Sequence, residues 1–371
     1  MISSKATRSS NFELLRIVAM FMIVAAHYAG HGVRHVSIPS LNLLWFSGSG
    51  VNQSFTSFLI PGGKIGVGIF FTLTGYFLID KEYKVKRILK LILEVYFYAM
   101  VMIVIWGGVY LYDVFVSRPD VYWLDNIPSL LRILINTCFP ITSKSWWFIT
   151  SYVFLFFLIP LLNRFVKLLE NNAYVGVFLS LIFIWYTTTT FDFAYVDIQR
   201  AIFFYILGAW IKMYDVLFNK WIALSLFTVA WFLFVGCDMI SMGVIFPSLA
   251  RGKIFVKFFE GIEIIFCVPV AVLSLFIFFK TCNLRENRFI NILASTTFGI
   301  YLFHDSSLNR QLIWDGILHI IDRQYKSIFF PVFAVLSIVL VFICGTVIDL
   351  LRQHLFERKI LAFFKKYTLT I

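Results

Sequence analysis

The chain has 371 residues, 60% of them hydrophobic and 14% charged, with a mean hydropathy of +0.86 and a formal charge of +12. Soluble domains run near about 45–50% apolar and about 25% charged. A soluble protein is therefore excluded, and a polytopic membrane protein is expected. Its basic balance is read as membrane topology and contact with anionic membrane lipids, with no nucleic-acid partner.

Ten apolar stretches follow one another along the chain, near 12–30, 64–80, 89–111, 146–163, 173–190, 199–214, 221–238, 258–280, 289–307 and 328–350. Each approaches the roughly 20 residues that cross a bilayer as helix. None shows the sustained apolar–polar alternation of a barrel strand. The fold class expected is all-α: a polytopic membrane helix bundle of about ten transmembrane helices, a single domain over 1–371. Asn11 is the expected N-cap of the first helix, and "PGGKIGVG" (61–68) a flexible lead-in to the second. The fourth span is expected to end near Pro160, with a turn at Asn171 and Asn172. Aromatic residues in "DVYWLDN" (120–126) and "SWWF" (145–148) suit membrane interfaces. "IPSLLRILINTC" (127–138) reads as a short amphipathic helix on the outer surface.

With the N-terminus inside, 20 of the 32 lysines and arginines fall on the cytoplasmic side and 12 outside. That bias places both termini in the cytoplasm, although "ARGKIFVK" (250–257) runs against it. The basic flank and apolar core of the N-terminus resemble a secretory signal. Glu13 and Arg16 crowd the apolar region, however, and an uncleaved first span is expected. The five cysteines (138, 237, 267, 282 and 344) show no CxxC spacing and read as small apolar residues.

The first span, "NFELLRIVAMFMIVAAHYAGHG" (11–32), carries ionisable groups where lipid makes them costly. Arg16 and His27 are eleven residues apart, so at 100° per residue they lie about 20° from a common face, with a rise of about 16 Å. Glu13, three residues before Arg16, is placed to neutralise it. His27 is thereby a candidate general base deep in the membrane. The alternative is a histidine that only hydrogen-bonds across the bundle. His31 and His35 continue the stripe at i+4 and i+8, but no carboxylate or cysteine follows in register, so no metal is expected.

"ELLRIVAMFMIVAAH" (13–27), with its Arg-x10-His pattern, resembles the opening signature of the acyltransferase-3 family of integral membrane O-acyltransferases. "GVGIFFTLTGYFLI" (66–79) resembles that family's next motif, with Thr74 where serine is common. "SWWFITSYVFLFFLIPLL" (145–162) and "STTFGIYLFHDS" (295–306) resemble its Trp-containing span and its late Gly-x-Tyr-Leu-x-His signature. The resemblance implies transfer of an acyl group, usually acetyl, from cytoplasmic acetyl-CoA to a hydroxyl. The acceptor it implies is a surface or envelope glycan or its lipid-linked precursor, and the setting a multi-pass protein of the cell membrane. On that basis His27 carries over as the catalytic histidine, with Arg16 and Glu13 beside it.

"KEYKVKRILK" (81–90) holds five basic residues, which topology alone would explain. Arg87 and Lys90 also resemble a family Arg-x-x-Arg feature, with lysine in the second place. They are the candidate anion site for the coenzyme A phosphates. Tyr301, His304 and Trp146 are candidate acceptor contacts, against the alternative of an interfacial aromatic belt. Arg200, Glu260 and Glu263 also fall near outer ends of spans. The competing functional class is a transporter or flippase of lipid-linked sugar. Such proteins often carry paired repeats, and no second copy of the Arg-x10-His helix is found.

Overall fold

All ten apolar stretches are helical, since in lipid a backbone group is satisfied only by bonds within its own segment. The computed structural model describes residues 9–34, 50–112, 135, 137–143, 145–190, 196–250 and 252–357. Helix α1 spans Ser10–His27 and runs on as wider π-helical turns, Tyr28–Arg34. Then come α2 (Gly50–Leu59), α3 (Pro61–Leu78), α4 (Val85–Tyr112), α5 (Trp147–Leu168), α6 (Asn171–Thr190), α7 (Val196–Met213) and α8 (Lys220–Ser241). The short α9 (Pro247–Ala250) leads to α10 (Lys253–Ile262), joined through Glu263–Cys267 to α11 (Val268–Thr281). The remaining helices are α12 (Arg288–Ser295), α13 (Thr297–His304), α14 (Ser307–Arg310) and α15 (Phe330–Arg352). There is no strand among the described residues.

Seven helical stretches are long and apolar enough to cross a membrane. The other three expected spans are helical but weaker in character. Four threonines close α6, Asp197, Arg200 and Lys212 dilute α7, and the ninth span breaks at Thr296 into the eight-residue α12 and α13. That break corrects the reading of 289–307 as one continuous helix.

Three local expectations also change. Asn11 is not the cap: the helix begins at Ser10, and the Asn11 amide donates across the bundle to the Phe279 carbonyl at 3.0 Å. The segment 61–68 is regular helix rather than a flexible lead-in. Its glycines are there for contact, because a Cβ at Gly62 or Gly66 would collide with the Met22 or Ala19 carbonyl of α1. Small residues let membrane helices approach this closely, and Gly75 and Gly208 do the same where α3 crosses α7. Pro160 lies inside α5, which continues to Leu168, and Asn171 opens α6 rather than a turn. The segment 120–126, nearly all of 127–138, and His35 lie outside the described residues.

The interior is aromatic and aliphatic, built on residues such as Phe12, Leu15, Ile23, Ile69, Phe71, Phe204 and Phe276. Large apolar side chains such as Val104, Leu161, Phe183, Leu336 and Ile343 cover the outside. That is the pattern of a surface solvated by lipid. Ionisable groups in the bundle are paired. Arg34 bridges Asp238 at 2.6 Å, Lys64 bridges Glu263 at 3.0 Å, and Arg352 bridges Glu94 at 2.8 Å and Asp349 at 2.7 Å. Pairing is what makes a buried charge tolerable, since removing one partner strands the other.

Candidate active site

His27 closes the regular part of α1, and His304 closes α13. The two meet, with His27 Nδ1 2.9 Å from His304 Nε2. Asp305, the next residue, puts Oδ1 3.2 Å from the same His27 nitrogen and 3.7 Å from His31 Nε2. Arg310 holds the same oxygen, donating to Oδ1 from Nε at 2.9 Å and lying 2.8 Å away at Nη2. The Trp146 indole anchors α13 by donating to the Leu302 carbonyl at 3.2 Å. Gly345 brings α15 against Ile300.

The hydrogen bonds assign the proton positions. His304 Nδ1 lies 2.6 Å from the Ile300 carbonyl, which can only accept, so Nδ1 carries the hydrogen. In a neutral imidazole Nε2 is then the acceptor, and His27 must donate to it from Nδ1. Asp305 accepts a share of the same N–H. The lone pair of His27 is left on Nε2, which makes no hydrogen bond among the described residues. His27 keeps 14% of its side-chain surface, whereas His304 and Asp305 are fully buried. The arrangement presents one accessible basic nitrogen with a carboxylate behind it to stabilise the imidazolium.

Around this centre several polar atoms lack partners. Among the described residues, Asp305 Oδ2, Trp314 Nε1 and Tyr301 Oη are buried without a hydrogen-bond partner. Tyr301 lies against Asp305, but the two are not in bonding geometry. Buried polar atoms are nearly always satisfied, so three orphans around one imidazole mark a place suited to hydroxyl groups.

A second feature lies further along α1. A cavity of about 1030 Å³ is lined by Arg16, Arg87, Lys90, Arg288 and Arg352, with Glu94, Glu286 and Glu357 among them. Arg16 donates through Nη1 to both oxygens of Glu13, at 3.3 and 3.2 Å. Lys90 is engaged by Glu357 at 2.5 Å, while among the described residues Arg87 donates only to the Glu82 carbonyl, at 3.2 Å. Phe148 lines the cavity and meets Tyr301 edge-on at 5.5 Å, and Tyr301 lies 6.2 Å from His304. A wall of two aromatic rings thus separates the cationic cavity from the paired histidines.

The structure therefore sorts the residues singled out in the sequence into two groups. His27, His304 and Tyr301 come together, and Arg16, Arg87 and Lys90 share the cavity. Trp146 is buried and reaches α13 through the Leu302 carbonyl. Glu13 is buried behind Arg16. Arg310, Trp314, Phe148, Arg288 and Arg352 were not singled out. Only Arg352 carried a readable signal, a charged residue three after Asp349 at the end of an apolar helix.

No curated protein and no solved structure matches the chain. One family's sequence model, described as "Acyltransferase domain", matches residues 9–350, from the start of α1 to the last turns of α15. The match takes in both histidines and Arg16, Arg87, Lys90 and Arg288 of the cationic cavity, and seven helical stretches of the chain are of membrane-spanning character. The chain belongs to the acyltransferase-3 family and is a multi-pass membrane acyltransferase.

Proposed function

We propose that the protein moves an acyl group, acetyl in the first instance, from acyl-CoA to a hydroxyl of a cell-surface or envelope glycan or its lipid-linked precursor, with His27 as general base. The observation that carries this reading is the fixed tautomer of His27. With Nδ1–H held by His304 and Asp305, its Nε2 lone pair is ready to accept the proton of an incoming hydroxyl.

The donor's phosphates would lie on the cytoplasmic side against Arg16, Arg87 and Lys90, with Arg288 and Arg352 adding charge to the same cavity. Arg16 and His27 are separated by about 16 Å of helix, a distance for the pantetheine arm to span past Phe148. The acceptor hydroxyl would attack the thioester carbonyl, its proton passing to His27 Nε2. Collapse of the adduct would expel the CoA thiolate, which takes that proton back. Asp305 stabilises the imidazolium between the two steps. Tyr301 Oη and Trp314 Nε1 are donors suited to further hydroxyls of a sugar. The cell membrane is the setting in which a cytoplasmic donor and an envelope acceptor both reach one bundle.

Purified protein given radiolabelled acetyl-CoA and a candidate glycan acceptor tests the reading. Label should appear as an alkali-labile ester with wild type and be lost with His27→Ala at unchanged protein level. Movement of the glycan without ester formation would instead support the transporter class.

A further inference from the structure

The histidine stripe of α1 lacks a carboxylate of its own, but the fold supplies one. His27 and His31 stand one turn apart, and Asp305 reaches both from the end of α13. Nitrogen donors from the two histidines and an oxygen of Asp305 all lie within 4.8 Å of one another. We propose that these three residues form a binding site for a transition-metal ion of the Zn²⁺ class, and that its occupancy switches acyl transfer off. The switch rests on the base role proposed for His27, whereas the binding site does not.

The spacing fits such an ion. A tetrahedral centre with bonds of about 2.0–2.2 Å holds its donors roughly 3.3–3.5 Å apart. Asp305 Oδ1 lies 3.2 Å from His27 Nδ1 and 3.7 Å from His31 Nε2. Small side-chain movements would bring both edges to that value. Two further features point to a ligand. Asp305 Oδ2 is fully buried and has no hydrogen-bond partner among the described residues, leaving a second carboxylate oxygen to bind. His304 Nε2, 2.9 Å from His27 Nδ1, is within reach as a fourth donor. Its Nδ1 is already tied to the Ile300 carbonyl, the outer bond that orients most metal-binding histidines.

The donor set selects the metal. Imidazoles with one carboxylate suit Zn²⁺, Co²⁺ or Cu²⁺, whereas Mg²⁺ and Ca²⁺ call for all-oxygen shells. Arg310 opposes binding, since its guanidinium sits on Asp305 Oδ1. Its side chain is 27% exposed and has room to withdraw, which suits an ion that comes and goes. His31, 26% exposed, gives the ion an approach.

Occupancy and catalysis exclude each other by proton bookkeeping. A metal on His27 Nδ1 takes that nitrogen's lone pair and moves the ring hydrogen to Nε2. The accessible nitrogen then carries N–H and cannot accept the acceptor's proton. Nothing is oxidised or reduced, and the block reverses when the ion leaves.

The test uses the full chain in detergent, stripped with a chelator and titrated with Co²⁺ alone. Wild type should bind one Co²⁺ per chain with the visible absorption of tetrahedral cobalt, displaced by Zn²⁺. His31→Ala should weaken binding at least tenfold, and Asp305→Asn should do the same, its folding checked by thermal unfolding. Zn²⁺ should inhibit transfer by wild type but leave His31→Ala active, and metal-free His31→Ala should match metal-free wild type. Equal binding by wild type and His31→Ala, or none by either, overturns the site. Binding that depends on His31 without inhibition overturns the switch and leaves the site standing. The titration contains neither donor nor acceptor. Metal binding by a protein that makes no ester would therefore sink the transferase reading alone.

Discussion

Two buried polar networks in this bundle use similar residues to opposite ends. At the cavity wall, Asp349 is saturated: Oδ1 accepts from Tyr98 at 2.9 Å and from Arg352 at 2.7 Å, and Oδ2 accepts from Gln353 at 2.7 Å. Arg352 goes on to Glu94 at 2.8 Å and Glu357 at 3.2 Å. At the paired histidines, Asp305 spends one oxygen on His27, His31 and Arg310 and leaves the other without a hydrogen-bond partner among the described residues. An unsatisfied buried polar group costs about 1–3 kcal/mol. A network that meets every valence fixes helices in place. One that leaves valences open, around a base of defined tautomer, holds room for a substrate or an ion.

The sharpest break of that contrast is His27→Gln. Glutamine keeps a hydrogen-bonding side chain but cannot take up a proton at working pH. Turnover should fall by about 10²–10⁴-fold, with thermal unfolding in detergent close to wild type. Asp349→Ala should do the reverse. Arg352 keeps Glu94 and Glu357, but Tyr98 and Gln353 lose their shared acceptor, at about 1–3 kcal/mol for each buried group left unpaired. Lower yield and earlier unfolding would register it. If His27→Gln unfolds as readily as Asp349→Ala, the division between a fixing and a working network fails.

A smaller effect separates the two cavity residues marked in the sequence. Among the described residues Arg87 donates only to a backbone carbonyl, whereas Lys90 must leave Glu357 before it can meet a phosphate. Arg87→Ala should therefore raise the KM for acyl-CoA by about tenfold with turnover nearly unchanged. Lys90→Ala should raise it by less. Equal or reversed effects would mean that the Lys90–Glu357 pair opens freely and that the donor-side charges act as a pool.

The sequence made legible what depends on a single helix. Apolar length located the helical stretches, seven of them long and apolar enough to cross a membrane, and helical spacing put Arg16 and His27 on one face of α1. Contacts between distant segments were not legible. His304 was readable as a candidate acceptor contact or as part of an outer aromatic belt, but not as a partner of His27; it is fully buried behind that residue, because the break at Thr296 redirects α13 toward α1. Asp305 could be seen beside His304 but not opposite His31. Gly62 and Gly66 signal flexibility in isolation, and only the neighbouring α1 backbone shows that they permit close packing. Asp349 and Arg352 were visible as charges in an apolar run, while their partners Tyr98 and Glu94 lie on another helix.

The smallest expected effect concerns Arg16, whose family motif invites the view that its planar fork is needed. In the structure a single nitrogen, Nη1, reaches both Glu13 oxygens, and the side chain is 35% exposed. A lysine amine could occupy the place of Nη1. Helical pairs at i,i+3 contribute only about 0.2–0.5 kcal/mol, and lysine keeps the charge beside the buried Glu13, so Arg16→Lys should scarcely move the unfolding temperature. What the lysine cannot supply is Nε and Nη2 toward the cavity that Arg16 lines. If those nitrogens hold a donor phosphate, the substitution should raise the KM for acyl-CoA about three- to tenfold and leave turnover within twofold. A fall in turnover at constant KM would instead place Arg16 in the orientation of His27 along α1. That would join the two networks into one device, and the cavity could no longer be treated as a separate donor site.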